Sequence, residues 1–179
     1  MRRARSLAIW LLLIAVAAAI LERYGDRLPL PWGGRAPPAT GETISGRARV
    51  VDGDSLEVAG HRIRLFGIDA PEGPQSCADA QGRDYACGAA ARRALAALIG
   101  GNQVNCTPVG ESHDRDVAIC RAGEHDLSEA MVRAGHAIEL RSHSRGRYSA
   151  AEREARAGKR GIWAGTFKRP GDWRSGRER

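Results

Sequence analysis

Two short runs of this chain alternate apolar and polar residues with the period of a strand buried on one face. RARVV leads to Asp52 and HRIRLFGI follows Gly60, with LEV between them and tight turns at Asp52-Gly53 and Ala59-Gly60. In the second run Ile63 and Leu65 share a face, which sends Arg62 and Arg64 to the other. NQVNCTPV and DVAICRA carry the same signature further on and read as a hairpin centred on His113.

The period changes at Gly88. GAAARRALAALI, to Ile99, sets Ala91, Ala94, Leu95 and Leu98 on one helical stripe, and Gly100-Gly101 stops it. Asp126 to Ala134 opens on a capping box of Asp126 and Glu129, turns Leu127, Ala130, Met131 and Ala134 to the core, and ends at Gly135, where a left-handed cap costs little. Ser149 to Ala157 repeats the device with Ser149, Glu152 and Gly158, and its Arg153, Glu154 and Arg156 read as a solvated face. Residues 73–87 show no period and form a long loop. Five short strands with one helix between the third and fourth, and further helices after them, predict an α+β fold: a small five-stranded β-barrel of OB type with about three packed helices.

Ahead of this lies a different kind of segment. Arg2, Arg3 and Arg5 precede an unbroken apolar run of fifteen residues, Leu7 to Leu21, expected to be a hydrophobic helix. Fifteen residues of helix reach about 22 Å, short of a hydrocarbon core of about 30 Å, which suits a cleaved signal peptide. The run stays apolar through Ile20 and Leu21, however, and Glu22 and Arg23 close it as snorkelling residues would, which favours an uncleaved inner-membrane anchor. Either way the arginines at its head place the C-terminal domain outside the cytoplasm. Residues 24–41, with four prolines and four glycines, make a stiff linker. The expected division is an export or anchor segment over 1–22, a linker over 23–41, a catalytic domain over 42–174 and a basic tail over 175–179.

Net charge is +7, but three of those charges are the leading arginines and three more come from residues 168–179, which leaves +1 for residues 22–167. Attraction to a polyanion must therefore come from local clustering. Cys77, Cys87, Cys106 and Cys120 are an even number in a chain with an export segment and read as two disulfides. Three pairings are open. Cys77 with Cys87 and Cys106 with Cys120 is the expected one, since the hairpin about His113 sets Cys106 opposite Cys120 at disulfide distance, roughly 4.4–6.8 Å between Cα atoms. Zinc is disfavoured because no C-x-x-C spacing occurs.

Within DGDSLEVAGHRIRLFGIDAPE, Asp54, Asp69, Glu72 and Arg64 gather about one hairpin, and Pro71 stiffens the loop between the last two acids. Phosphodiester hydrolysis needs an activated water and a way to stabilise the extra negative charge on phosphorus, which proteins supply with a cation, arginines and a base. Asp54 and Asp69 offer hard oxygen ligands suited to Ca²⁺, with the Ala70 carbonyl as a third and water completing the shell. Glu72 is placed to orient or deprotonate the attacking water.

At these residues the sequence resembles the thermonuclease family, the staphylococcal-nuclease-like secreted nucleases, whose pattern is D-G-D-[TS] followed by R-L-x-x-[IV]-D-x-P-E. DGDS and RLFGIDAPE match it, and the order of elements is kept from Arg47 to about Trp173. The resemblance implies an OB-type barrel, catalytic roles for Arg64, Glu72 and Arg115, Ca²⁺ as cofactor, DNA and RNA cut with little sequence preference to leave 3′-phosphates, and a C-terminal segment anchored by Trp163 and Trp173. A guanidinium fork suits two phosphate oxygens at once.

The departures are specific. Where relatives show D-R-Y-G-R, this chain has Glu111, Ser112, His113, Asp114 and Arg115, and Asp114 and Asp116 flank the arginine as competitors for it. Where relatives carry A-Y-R-R-Y-S, Leu140 and His143 replace the tyrosines, leaving His143 and Arg141 as candidate substrate contacts. Base stacking is worth about 1–3 kcal/mol per base, so altered substrate binding is expected. The reading is thus a monomeric, exported, calcium-dependent nuclease with a nucleic-acid substrate. A non-catalytic OB-type binding module at the membrane, for nucleic acid or protein, is the alternative.

Overall fold

The alternating runs fold as an antiparallel meander in the computed structural model, which describes residues 39–176. The apolar run, most of the linker and residues 177–179 lie outside the described residues, and among those described no helix is long and apolar enough to cross a membrane. β1 (Ile44–Asp52), β2 (Ser55–Val58) and β3 (His61–Leu65) pair in sequence order, the β2–β3 turn falling on Ala59 and Gly60 at φ +50° and +85°. After the three short strands β4 (Ile68–Asp69), β5 (Cys77–Ala78) and β6 (Asp84–Tyr85) comes helix α1 (Cys87–Ile99). β7 (Gln103–Glu111) then pairs with β1, β8 (Asp116–Ala122) pairs with β7, and β8 runs parallel beside β3. That last pairing closes five long strands into a barrel, and the two-residue β9 (His125–Asp126) extends the edge of β8. Leu56, Val58, Ile63, Leu65, Val104, Ala118 and the Cys106–Cys120 disulfide are buried in its core.

α1 lays Ala91, Leu95 and Ile99 on the barrel and stops at Gly100 in the left-handed region, φ +56°. α2 (Leu127–Arg133) is capped by Asp126, whose carboxylate accepts from Glu129 N at 3.1 Å, and is followed by Gly135 at φ +74°. Only half of the expected capping box forms, because the Glu129 carboxylate turns to Arg133, 2.5 Å away. After β10 (Ile138–Glu139) come α3 (Arg141–Ser144), α4 (Ser149–Ala157), a 3₁₀ turn (Gly161–Ala164) and α5 (Pro170–Arg174). Among the described residues the helices therefore number five where about three were expected; α3 and α5 are too short to show a 3.6-residue period.

The expected cap of α4 is not made. Ser149 Oγ donates to Glu139 Oε2 at 2.5 Å, while buried Glu152 accepts from Glu139 N at 2.8 Å and from Arg156. Glu139 has taken both groups of the capping box, the Ser149 hydroxyl at its buried carboxylate and the Glu152 carboxylate at its backbone N–H. Gly158 also keeps an ordinary φ of −81°, and the left-handed residue is Lys159 at φ +48°.

Both disulfides have the expected partners. Cys106 and Cys120 are directly opposed in the β7–β8 ladder with Cα atoms 4.0 Å apart, closer than the range expected, and Cys77–Cys87 ties the loop after Glu72 to the start of α1 with Cα atoms 5.6 Å apart. That loop is more ordered than its sequence suggests, since β5 and β6 pair Cys77 with Tyr85. Cys77, Cys87, Ile138 and Ile162 form a second buried cluster with Tyr85, Trp163 and Phe167 around it. The C-terminal strand of chain is fastened across this cluster: Ala78 and Thr166 exchange backbone hydrogen bonds at 2.9 and 3.2 Å, and Gln75 Nε2 donates to Lys168 O at 2.7 Å. Trp163 anchors it, edge-on to Phe167 with ring centres 5.0 Å apart. Trp173 does not; it is among the exposed large hydrophobic residues, and the buried residue of α5 is Pro170.

Candidate active site

β2–β3 pairing brings the first two members of the site together. Ser55 stands opposite Arg64, and Leu65 N donates to Asp54 O at 2.8 Å, so Asp54, one residue before β2, lies beside the arginine. Gly53 makes this possible: a Cβ on it would come within 2.7 Å of the β-carbons of both Ala70 and Ala91. Asp69 arrives from β4, whose partner Ile138 stands opposite it. The turn leading there uses Gly67 at φ +73°, pressed against Ser144 and Tyr148.

Arg64 Nη2 lies 2.9 Å from Asp54 Oδ2 and 2.8 Å from Asp69 Oδ1, so one nitrogen serves two buried carboxylates. Ser55 Oγ donates to Asp54 Oδ1 at 2.9 Å, and Ala70 N donates to Oδ2 at 3.2 Å. Burial nonetheless pushes the Asp54 carboxyl above the usual aspartate range, against the opposing pull of Arg64. Glu72 is held by its backbone: its N–H donates to Gln75 Oε1 at 3.1 Å and its carbonyl accepts from Gln75 N at 2.7 Å.

The fifth member of the array was not visible in the sequence. Arg174, on α5, donates from Nη1 to Asp69 Oδ1 at 2.9 Å and from Nη2 to Asp69 Oδ2 at 3.1 Å, while Nη1 also reaches Glu72 Oε1 at 2.5 Å. The hydrogen bond to Asp69, more than that to Glu72, holds its guanidinium even more firmly protonated than an ordinary arginine, against the effect of burial. Five groups of alternating charge thus stand in a row: Asp54, Arg64, Asp69, Arg174, Glu72. Asp52, read from sequence only as a turn residue, is a further acid nearby; burial and then the Glu72 charge raise its pKa. The repeated aspartate of D-G-D was the available signal for Asp52, whereas nothing in GDWR marks Arg174 as a site residue.

Arg115 is not brought into this row. It lies in the turn between β7 and β8, where Ser112 and Arg115 exchange backbone hydrogen bonds, and lines a separate cleft with His61, Arg62 and Glu111. The flanking acids do not pair with it; Asp116 Oδ2 lies 3.0 Å from His61 Nδ1 instead. His143 shares a cavity of about 330 Å³ with Arg64, Phe66, Ser112 and Leu140. Arg141 faces another cleft, of about 460 Å³, also lined by Arg153, Arg156 and Arg169. Two arginines assigned to a solvated face of α4 therefore belong to a concave basic surface. Its two acids are buried and offset part of that charge, Glu139 Oε2 lying 3.5 Å from Arg141 Nε and Glu152 Oε1 accepting from Arg156 Nε at 2.9 Å.

Two carboxylates around one point of positive charge, with hard oxygen donors only, fit a divalent cation of the Ca²⁺ or Mg²⁺ class. Among the described residues no three His, Cys, Asp or Glu side chains converge as a ready-made metal nest. Asp54 and Asp69 would hold such a cation, with Ala70, whose N–H already bonds Asp54, next to Asp69 in the chain, and water or substrate would complete the shell.

Residues 62–165 match the family described as staphylococcal nuclease homologue. The chain is 36% identical over 125 residues to the succinoglycan biosynthesis protein ExoI of Rhizobium meliloti (strain 1021), a stretch covering 68% of this chain and 65% of that protein. It is also 34% and 33% identical, over 124 residues each, to the probable staphylococcal-like nucleases CAN2 and CAN3 of Oryza sativa subsp. japonica, again over 68% of this chain. Those stretches span 31% and 30% of the rice proteins, so the chain corresponds to about a third of each.

Proposed function

The chain belongs to the staphylococcal nuclease homologue family, and from that premise we propose that it is an exported, calcium-dependent nuclease that hydrolyses DNA and RNA with little sequence preference. The observation that carries the reading is the joining of Asp54 and Asp69 through a single nitrogen of Arg64, with Glu72 in the same row. Arg64 uses Nη2 on the carboxylates, and its Nε and Nη1, which point to opposite sides of the guanidinium, remain to donate singly to oxygens of the scissile phosphate. Glu72 would orient the attacking water and accept its proton as the oxygen bonds to phosphorus. The bond from phosphorus to the 5′ oxygen then breaks, the 5′ oxygen taking a proton from solvent to leave as a hydroxyl, and the 3′-phosphate that the family resemblance implies remains. A Ca²⁺ bound at Asp54 and Asp69 would offset the charge that builds on the phosphoryl oxygens. Arg115 is proposed to meet the same strand where it crosses the β7–β8 turn.

Two disulfides suit an oxidising compartment, which supports export by residues 1–22 with the domain outside the membrane. The test is cleavage of single-stranded DNA, duplex DNA and RNA by the full chain with Ca²⁺, Mg²⁺ or chelator. Calcium-dependent cleavage of nucleic acid is the expected result, with Glu72→Gln slower by about 10²–10⁴-fold. No metal-dependent cleavage of any of the three would overturn it.

A second reading, a non-catalytic binding module, draws on Arg174 engaging both oxygens of Asp69 and on a relative named for succinoglycan biosynthesis. Binding measured in EDTA separates the two: the module keeps its affinity, whereas the metal-assisted enzyme weakens.

A further inference from the structure

Asp69 has no free oxygen. Oδ1 accepts from Arg64 and Arg174 and Oδ2 accepts from Arg174, which leaves a single lone pair on Oδ2, so a cation that takes Asp69 as a ligand competes with Arg174 for the carboxylate. The same Nη1 holds one oxygen of Glu72, the group proposed to manage the water. We propose that Arg174 is a third arginine of the catalytic centre, an internal cation that exchanges with the divalent one. This rests on the calcium reading given above and adds to it a residue and an order of events.

The way α5 is mounted fits the role. Residues 166–168 are fastened to the disulfide loop by hydrogen bonds at Ala78 and Gln75, and Pro170 is buried at the start of α5. The base of the strap is thereby fixed beside Glu72, since Gln75 bonds both the backbone of Glu72 and Lys168. Beyond Pro170 the attachment is different in kind. Trp173 is exposed, and the Arg174 side chain is 41% exposed although its partner Asp69 is 3% exposed. A guanidinium reaching in from solvent can leave by rotating its own side chain, without unfolding anything beneath it. With no divalent ion bound, Arg174 balances the charge of Asp69 and aligns Glu72. When the ion binds, the arginine withdraws, Asp69 becomes a ligand and Glu72 is released to water. The withdrawn guanidinium is then beside the phosphate and free to bind it.

Calcium binding by the full chain, followed by calorimetry without substrate, tests this. Arg174→Ala is expected to bind Ca²⁺ at least tenfold more tightly than wild type, and Arg174→Lys, which keeps the charge but not the fork, should fall between them. Melting curves in chelator check that each variant is folded. In the wild type, the guanidinium Nη signals of Arg174 in NMR, identified by their loss in Arg174→Lys, should be resolved in chelator and merge with the freely rotating arginines as calcium saturates. Equal or weaker calcium binding by Arg174→Ala overturns the exchange. So do Arg174 signals that persist at saturation, even if the variant binds more tightly, because the effect is then one of charge at a distance. If neither wild type nor Arg174→Ala binds calcium, the cation reading of the site falls and the exchange with it; if both bind alike, only the exchange falls.

Discussion

Gly88, in the first turn of α1, lies so close to Glu72 that a Cβ on it would stand 1.7 Å from the Glu72 carbonyl oxygen. The position tolerates glycine alone, and any side chain there has to push either the helix or the acid. Gly88→Ala is expected to cost about 1–3 kcal/mol of stability and to slow cleavage by about 10²-fold, since a displacement near 1 Å is enough. Gly73, adjacent to Glu72 but with open space around it, is the control for stability: Gly73→Ala should stay within about 0.5 kcal/mol of wild type. Thermal melts and initial rates check both.

Removing Arg64 takes away the cation that Asp54 and Asp69 share. Asp69 retains Arg174, but Asp54 keeps only Ser55 Oγ and Ala70 N. Arg64→Ala should therefore destabilise the fold by about 3 kcal/mol in chelator, in the range for breaking a buried pair, and added calcium should restore part of it. Urea unfolding with and without Ca²⁺ measures the difference.

Tyr148 is buried, and its phenol is pushed up from about 10 to about 12, first by burial and then by the charge of Asp126. Arg147, over the ring and bonded to Asp126, opposes the shift. Because the folded state holds this proton to higher pH than the unfolded state does, its contribution to stability is complete below pH 10 and is lost as pH rises through 12. Two pKa units correspond to at most about 2.7 kcal/mol. Urea unfolding at pH 9 and at pH 11.5 should show this loss in wild type and a smaller one in Tyr148→Phe.

The basic cleft should be felt through salt. Arg141 and Arg169 line it with Arg153 and Arg156, four cations against the two acids Glu139 and Glu152, so phosphates of a long single strand would displace counterions there. Arg141→Gln together with Arg169→Gln should flatten the dependence of log binding constant on log salt by about 1.4 for a twelve-nucleotide strand. A dinucleotide, too short to span both sites, should bind as before. Titration of fluorescent oligonucleotides across a salt series gives the slopes.

Most of the barrel was legible because its signals are local. Ile63 and Leu65 against Arg62 and Arg64, the stripe on α1, and two cysteines placed symmetrically about a turn each need only a few neighbouring residues to be read. The row Asp54, Arg64, Asp69 and Glu72 was legible for the same reason, since one hairpin and one turn assemble it. What escaped depends on partners remote in the chain. Ser149 is a good helix cap by sequence, yet the buried acid ten residues before it, Glu139, takes its hydroxyl. Arg174 meets Asp69 across 105 residues, through a strap whose course is set by a disulfide loop and a second apolar cluster. Arg115 shows the converse: a motif position can be matched while the turn carrying it stands in another cleft.

The strap that crosses residues 75–78 has a bearing on where this protein can be cut. The stretch that matches the family, residues 62–165, begins after Asp54 and ends before Thr166. A fragment made to those limits would lose β1 and β2, the Asp54 carboxylate, the clasp at Ala78 and Arg174, while still being recognisable as kin. The limits of that match are thus narrower than the folded unit, whose two margins meet at Asp69, where Arg64 from the beginning of the barrel and Arg174 from the last described helix bind the same oxygen.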